Sequence, residues 1–379
     1  MVLLIAVMAL YLVMVVAFIA GYYRVLEHKP IPNQHRYFIS IVICFRNEEQ
    51  NIASLFETIR ALDYPANYFE VVAVNDHSTD GTERELDHQR QQHRNLRIVN
   101  LPHESEGKKG ALSAGVSAAR SSSIAITDAD CRLPKYWLAN INNLINAKAD
   151  IVCGPVAYYP TTFFERLAAV EFASLSASGI GAAGIGMPIF CNAANMAFRK
   201  EIFTEANLNP KQTPSGDDVF LLHYAKQHHK TIRFTAGRDN LVTTNADKNL
   251  KDFLNRRKRW GSKTKYYSDK STKATAILVF LANAAILLCS IAATISHAYL
   301  TLAIALLASK MMLDYGLLAT HFRANGIKKW AKYFFLCAAL YPIYITFTAI
   351  GSTTSRFTWK ERRYNDPKAS HPGHNHGES

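Results

Sequence analysis

The chain alternates between blocks too apolar for solvent and blocks with the mixed pattern of a soluble domain. Residues 2–20 form an unbroken apolar run, long enough for a helix to cross a hydrocarbon core. No basic residue precedes it and Arg24 and Lys29 follow, so residues 1–22 read as an uncleaved anchor rather than a signal peptide. The positive-inside rule then places the following domain in the cytoplasm. Apolar segments return at 276–296, 299–320 and 333–350, giving a C-terminal membrane region over 276–350, with a basic loop from His321 to Lys332 inside it. Lys310 and Asp314 lie four apart on one helix face, where substrate contact and helix packing are equal readings. Four spans put the tail outside, whereas Arg356, Lys360, Arg362 and Arg363 favour the cytoplasm. That conflict disappears if the segment broken by Pro342 does not fully cross.

Between these blocks short apolar runs are separated by helical periodicity. Residues 38–44 and 70–75 read as buried strands, 97–101 as a short third, 123–127 as a fourth and 150–156 as a fifth. Helical patterns run from Asn51 to Leu62 and from Gly107 to Arg120. Strand, loop and helix therefore alternate as in a mostly parallel α/β sheet with crossover helices. The second half is less regular. Phe163 to Leu175 is amphipathic, and Ser176 to Pro188 is rich in Gly and Ala, suiting close backbone approaches or a mobile loop. Phe190 to Arg199 begins another structured stretch, in which Asn192 and Asn195 fit polar-substrate contacts and turn formation equally well.

Composition works by exclusion. Of 379 residues, 49% are hydrophobic and 19% charged, too apolar for a disordered chain and low in charge for a wholly soluble one. Lys and Arg number 43 against 30 Asp and Glu, but the excess gathers beside the apolar segments, which favours headgroups over nucleic acid. The cysteines at 44, 131, 153, 191, 289 and 337 lack paired ligand spacing and read as reduced, mostly buried thiols. Residues 351–379 read as a basic, then His-containing flexible tail; His371, His374 and His376 are solubilising rather than a metal site. No Gly-x-Gly-x-x-Gly or Walker A motif follows a strand, which removes the dehydrogenase and P-loop readings.

Candidate chemistry gathers where strands end. In parallel sheets ligands bind beyond the carboxyl ends of strands, and three of the expected strands run into Glu48, Asp76, and Asp128 with Asp130. In an extended Asp128-Ala129-Asp130 the two carboxylates point to one side and suit a hard cation, Mg²⁺ or Mn²⁺, that also binds phosphate; Asp-x-Asp is also common in solvated loops. Asp217 and Asp218 open an apolar helix whose dipole favours negative charge, which explains one of them and leaves the other available for chemistry. Arg256-Arg257-Lys258-Arg259-Trp260 fits headgroup attraction with an interfacial tryptophan, or a clamp on a diphosphate.

Together these residues resemble the membrane-associated family 2 glycosyltransferases, over about 38–263 and the flanking helices. The resemblance rests on Phe45-Arg46-Asn47-Glu48, Asp76-His77-Ser78-Thr79-Asp80-Gly81-Thr82, Gly107-Lys108-Lys109-Gly110-Ala111-Leu112, Asp128-Ala129-Asp130 and Asp217-Asp218, in that order. It implies a GT-A-like domain at 38–263 and an inverting, metal-dependent transfer from a UDP- or GDP-sugar to a lipid or membrane-associated saccharide. Phe45, Arg46, Glu48, Asp76, Lys108, Lys109, Asp128, Arg259 and Trp260 would then contact the donor. Asp130 with Asp128 would hold the metal, and Asp218 would be the base beside Asp217. Processive polysaccharide synthases carry Gln-x-x-Arg-Trp; here Arg256 replaces the glutamine, which favours transfer of one or a few sugars over polymerisation. The implied setting is multi-pass in a cell membrane, the bacterial inner membrane, with the catalytic domain cytoplasmic. A membrane-anchored scaffold that binds without turnover is the reading from another class.

Overall fold

A computed structural model describes residues 1–28, 35–102, 104–105, 107–206, 216–261, 263–351 and the strands 357–359 and 362–364. The histidines of the tail, with Lys29, Arg356 and Lys360, lie outside the described residues. Helix α1 (Val2–Glu27) leads into β1 (Ile39–Phe45), α2 (Glu49–Arg60), β2 (Phe69–Asn75), α3 (Thr82–Gln92), β3 (Leu96–Asn100), α4 (Gly107–Ala118) and β4 (Ser123–Asp128). Next come α5 (Trp137–Asn146), β5 (Ile151–Cys153), β6 (Val156–Tyr158), α6 (Phe163–Gly184), β7 (Met196–Arg199), α7 (Lys200–Ala206), α8 (Asp217–Gln227), β8 (Ile232–Phe234) and β9 (Val242–Thr244). Helices α9 (Leu250–Gly261), α10 (Lys270–Ala292), α11 (His297–Ala324) and α12 (Phe334–Gly351) precede a hairpin, β10 (Phe357–Trp359) and β11 (Arg362–Tyr364).

The main sheet has seven strands in the order β3-β2-β1-β4-β7-β5-β8. Strands β3, β2, β1 and β4 are mutually parallel, and β7 runs antiparallel between β4 and β5. Strand β2 is buried along its whole length, as expected of a parallel strand covered by helices on both faces. Register matters most for the site. Phe45 pairs with Asn75 and Cys44 with Asp128, so β1, β2 and β4 end level and release their loops side by side. Beyond these ends Asn47 and His77 hold φ of 51° and 52°, a left-handed conformation that non-glycine residues adopt mainly where function or packing enforces it. The fifth expected strand is broken at Gly154-Pro155. Its second half, β6, pairs with β9 in a separate two-stranded sheet.

The Gly/Ala-rich stretch after Leu175 continues helix α6 to Gly184 and is not a loop. Its glycines serve a helix crossing. A Cβ on Gly181 would lie 2.4 Å from the Phe18 carbonyl oxygen, and one on Gly184 would lie 1.9 Å from that of Gly21. Backbone cannot yield as a side chain can, so Gly181→Val is expected to cost about 1–3 kcal/mol, the usual scale of overpacking, read as a lowered thermal midpoint in detergent.

Among the described residues five helices are long and apolar enough to cross a membrane: α1, α6, α10, α11, and α12 together with the turn before it. Topology reduces that number. Strand β5, which precedes β6 and α6, pairs directly with β7, which follows α6, so the chain leaves the main sheet and returns to it around α6. Helix α12 behaves alike. The segment before it reaches the α/β domain's helix α6, where Arg166 Nη1 donates to Tyr333 Oη at 3.1 Å. Near its other end Arg257 Nε donates to Tyr344 Oη at 3.1 Å, and β10 lies against α9. Both ends of α12, and the tail strands after it, therefore lie on the side of the α/β domain. Helices α1 and α11 run side by side, tied by a Tyr22 Oη–His321 Nδ1 contact of 3.1 Å and by Tyr11 Oη donating to Asp314 Oδ1 at 2.7 Å. The Lys310–Asp314 ion pair forms within α11.

Candidate active site

The level ends of β1, β2 and β4 open into a cavity of about 840 Å³. Phe45, Arg46, Glu48, Asp76, Lys108, Asp128, Asp130, Asp217, Asp218, Arg259 and Trp260 all line it. They arrive from β1, the β2 end, α4, the β4 end, α8 and α9, so one site is assembled from segments spread over more than 200 positions. Lys109 is the exception and does not line the cavity. It is buried behind Asp217, with Nζ 3.7 Å from Oδ1 and lying over the Phe220 ring. Successive helix residues point about 100° apart, so one of two neighbouring lysines on α4 faces the ligand edge and the other does not.

Asp76 is 2% exposed and held from several sides. Its Oδ2 accepts the Gly107 N–H at 3.1 Å, its backbone oxygen accepts Arg46 Nη1 at 2.8 Å, and its Oδ1 lies 3.1 Å from His77 Nδ1. That cradle fixes a carboxylate at the tip of β2. Glu48 receives Asn51 Nδ2 at 2.6 Å, and its own N–H donates to Thr82 Oγ1 at 2.8 Å. The Arg46 loop and the Asp76 loop therefore stiffen one another.

Asp128 ends β4, but the next residues turn rather than extend: the Cys131 N–H donates to the Asp128 carbonyl at 3.2 Å. The alternation expected of a strand is thus absent, and the turn brings both Asp128 and Asp130 to the cavity. Burial first, then the Asp128 and Glu48 charges, push the Asp130 carboxyl above its usual range. Lys108 Nζ rests 2.5 Å from Asp128 Oδ1. Burial lowers the Lys108 ammonium, yet contact with Asp128 outweighs it and leaves the group above its ordinary value. Among the described residues no group of three or more His, Cys, Asp or Glu forms a ready cage for a metal. A crowded acidic ledge that already draws in a lysine does fit a hard divalent ion held by one or two carboxylates, with phosphate oxygens and water as the remaining ligands.

Gly216, whose φ of 113° suits glycine, occupies the cap position before α8. Asp217 is raised by burial against the opposing pull of Lys109. Asp218 is gripped by backbone: Oδ2 accepts the Ala193 N–H at 3.2 Å and Oδ1 accepts the Val219 N–H at 2.8 Å. Each oxygen keeps a further lone pair for a substrate proton. Asn192 lines the cavity and Asn195 does not, and both brace local structure. Asn192 Oδ1 receives the Ala194 N–H at 2.9 Å, and Asn195 Oδ1 receives Trp137 Nε1 at 2.9 Å.

On the opposite wall Arg259 is lowered to about 10, by burial and then by Arg256 beside it. Arg256 itself is taken by Asp247 at 2.8 Å. Trp260 packs into Phe172 and Phe190, with ring centroids 5.9 and 6.4 Å away, so its packing is to the protein. Lys263 escaped sequence reasoning. It is 8% exposed, lines the cavity, and is lowered to about 8 by burial, with Asp218 opposing. The signal was present, because Lys263 lies one turn beyond Arg259 in the same basic run, but that run equally marks a membrane surface.

Residues 40–205 match the model of glycosyl transferase family 2, and residues 123–352, more than half of the chain, match that of glycosyl transferase family group 2. The chain belongs to the family 2 glycosyltransferases. This glycosyltransferase is 34% identical over 104 residues to a beta-monoglucosyldiacylglycerol synthase of Synechocystis sp., a stretch covering 27% of the chain and 22% of that protein. It is 25% identical over 194 residues to glycosyltransferase AglE of Haloferax volcanii, covering 50% of the chain and 60% of the relative. The matched stretches thus span less than two thirds of either relative's length. Among solved structures, mannosyltransferase PcManGT from Pyrobaculum calidifontis, in complex with GDP-Man and Mn²⁺, aligns with a TM-score of 0.51 at 21% identity. That alignment covers 90% of this glycosyltransferase and 99% of PcManGT, and it identifies the fold as GT-A-like.

Proposed function

We propose that this glycosyltransferase moves one or a few sugars from a nucleotide-diphosphate sugar, UDP- or GDP-linked, to a lipid or lipid-linked saccharide at the cytoplasmic face of a membrane. The observation that carries the reading is the continuity of one cavity. It runs from the carboxylate ledge at the strand ends into space lined by Val15 and Phe18 of α1, Val279 of α10, Leu317 of α11 and Ala338 of α12. A water-soluble acceptor has no need of such an apolar arm; a lipid has. The names of the two relatives in Synechocystis sp. and Pyrobaculum calidifontis support a lipid acceptor and a nucleotide-sugar donor with a divalent ion. Arg24 at the domain end of α1 supports the cytoplasmic placement.

In this reading the Asp76 cradle receives the nucleotide base, and Asp128 with Asp130 would hold Mg²⁺ or Mn²⁺. When bound, that ion supplies positive charge to the departing nucleoside diphosphate. Asp218 accepts the acceptor's hydroxyl proton as that oxygen attacks the anomeric carbon from the face opposite the leaving group, which inverts the configuration. Arg259 and Lys263 meet the charge that develops on the leaving group.

Lys263 gives a pH test of this arrangement. A lysine held near 8 is partly neutral above that pH, so donor binding there should draw a proton onto it. Titration calorimetry at pH 8.5 in buffers of different ionisation heat is expected to detect proton uptake in the wild type and none in Lys263→Met. Equal uptake in both proteins would remove Lys263 from the donor site.

The reading as a whole is tested by a donor-depletion screen with UDP- and GDP-sugars and a membrane lipid extract. Donor loss is expected only with lipid present, with labelled sugar partitioning into the organic phase as a product of one or a few units. A long ladder or high-mass polymer from one donor would instead establish a processive synthase.

A further inference from the structure

The junction between the ledge and the apolar arm is built around Arg257, which lies in the basic run of α9 and has no part in the proposed donor site. It is 7% exposed and lines the cavity. Phe253 and Trp260 sandwich its guanidinium, at 4.7 and 4.4 Å from their ring centroids. Nε donates to Glu171 Oε1 at 3.0 Å and to Tyr344 Oη at 3.1 Å, and Nη2 pairs with Glu171. Nη1 is buried and finds no hydrogen-bond partner among the described residues. A buried guanidinium N–H without an acceptor is costly, whereas an oxygen supplied by a ligand would satisfy it. Three segments from different parts of the chain, α6, α9 and α12, hold this one group in place.

The same cavity is also lined by Tyr11, Lys310, Asp314 and Tyr341. There Lys310 lies 5.2 and 4.8 Å from the Tyr11 and Tyr341 ring centroids and pairs with Asp314. Along α1 the lining runs from Phe18 to Tyr11 and along α11 from Leu318 to Lys310, a depth of roughly 10–12 Å at the helical rise per residue. An ion pair capped by tyrosines is a poor surface for hydrocarbon. It therefore forms a floor.

We propose that Arg257 Nη1 is the hydrogen-bond donor to a headgroup oxygen of the acceptor lipid, whose hydrocarbon chain occupies the arm down to the Lys310–Asp314 floor. The inference rests on the proposed transfer to lipid and deepens it by naming the acceptor's seat. The headgroup oxygen belongs to a hydroxyl of a neutral lipid or to a lipid phosphate, since either accepts this N–H.

Binding is measured first, without turnover, on the full chain in detergent. Alkyl phosphates and alkyl glycerols with butyl and dodecyl chains are titrated and followed by native mass spectrometry. In the wild type the dodecyl probe is expected to bind at least tenfold more tightly than the butyl probe. Ala338→Phe, which fills the arm, should collapse that ratio. Arg257→Lys keeps the charge but loses the planar fork, and should weaken both chain lengths of the correct headgroup series by about tenfold or more. The series it weakens identifies the oxygen as phosphate or hydroxyl. In steady-state assays Arg257→Lys should raise the acceptor KM by a similar factor with the donor KM within about twofold, a split that general loosening of the fold would not give. To separate loss of this hydrogen bond from disturbance of Glu171, the double variant Arg257→Met/Glu171→Met replaces the whole pair by apolar groups and must show the same loss. An unchanged chain-length ratio in Ala338→Phe, or equal rises in donor and acceptor KM in Arg257→Lys, overturns the proposal. Failure of every donor to react while the binding pattern holds would refute the transferase reading and leave the lipid seat standing.

Discussion

Asp218→Asn is expected to lower sugar transfer by about 100-fold or more while donor affinity stays near the wild-type value. An acceptor hydroxyl is a weak nucleophile at neutral pH, and loss of general-base help costs about 10²–10⁴ in rate. The structure favours Asp218 over its neighbour for that task. Both line the cavity, but Asp217 is buried and paired with Lys109, whereas Asp218 is fixed by the backbone N–H groups of Ala193 and Val219. Asparagine keeps the size and one acceptor oxygen, so helix α8 should still form; circular dichroism and thermal unfolding verify this. Single-turnover transfer and donor titration on the same preparation then separate chemistry from binding. Transfer within a few fold of wild type would dismiss Asp218 as the base, and a product retaining the donor's anomeric configuration would dismiss single displacement.

What the sequence disclosed depended on whether a signal was local. Strands β1, β2 and β4 were legible because β-branched runs such as Ile39 to Cys44 stop abruptly at charged residues, and a parallel sheet places such stops on one edge. Strand β7 has four residues and follows a long helix, and nothing near Met196 announces that it enters between β4 and β5 in the opposite sense. Of the two readings of the Gly/Ala-rich stretch, close backbone approach holds at Gly181 and Gly184 and the loop does not, because small side chains carry little periodicity to mark the helix they belong to. Lys108 and Lys109 were indistinguishable in a motif and are separated only by helix rotation. Arg257 and Lys263 sat within or beside a basic run that fits a membrane surface and a diphosphate clamp equally well. Pro342 marks the last apolar segment as irregular, but its contacts with the α/β domain through Tyr333 and Tyr344 are tertiary and leave no local mark.

Asp130→Ala should differ from Asp218→Asn by weakening donor binding as well as turnover, with transfer lowered by about 100-fold or more if a divalent ion contributes several kcal/mol to the leaving-group charge. The ledge itself supplies an independent readout. Burial, Asp128 and Glu48 raise the folded-state value of the Asp130 carboxyl, so its ionised form is disfavoured in the folded protein. The sign follows from linkage: a raised acid costs stability above its folded value, and the cost fades as pH falls through that value. Without metal, Asp130→Asn should therefore unfold at a higher temperature than wild type at neutral pH, and the difference should shrink on acidification. Adding Mg²⁺ or Mn²⁺ reverses the order. A cation that binds the ionised ledge stabilises the wild type by mass action, whereas protons compete with it as the pH falls toward the raised Asp130 value. The expected result is a metal-induced rise in thermal midpoint that is large at neutral pH, smaller toward acid, and lost in Asp130→Ala. An equal rise in Asp130→Ala, or full transfer by that variant after thorough chelation, would place the cation elsewhere and leave Asp130 a buried acid without a role in the transfer.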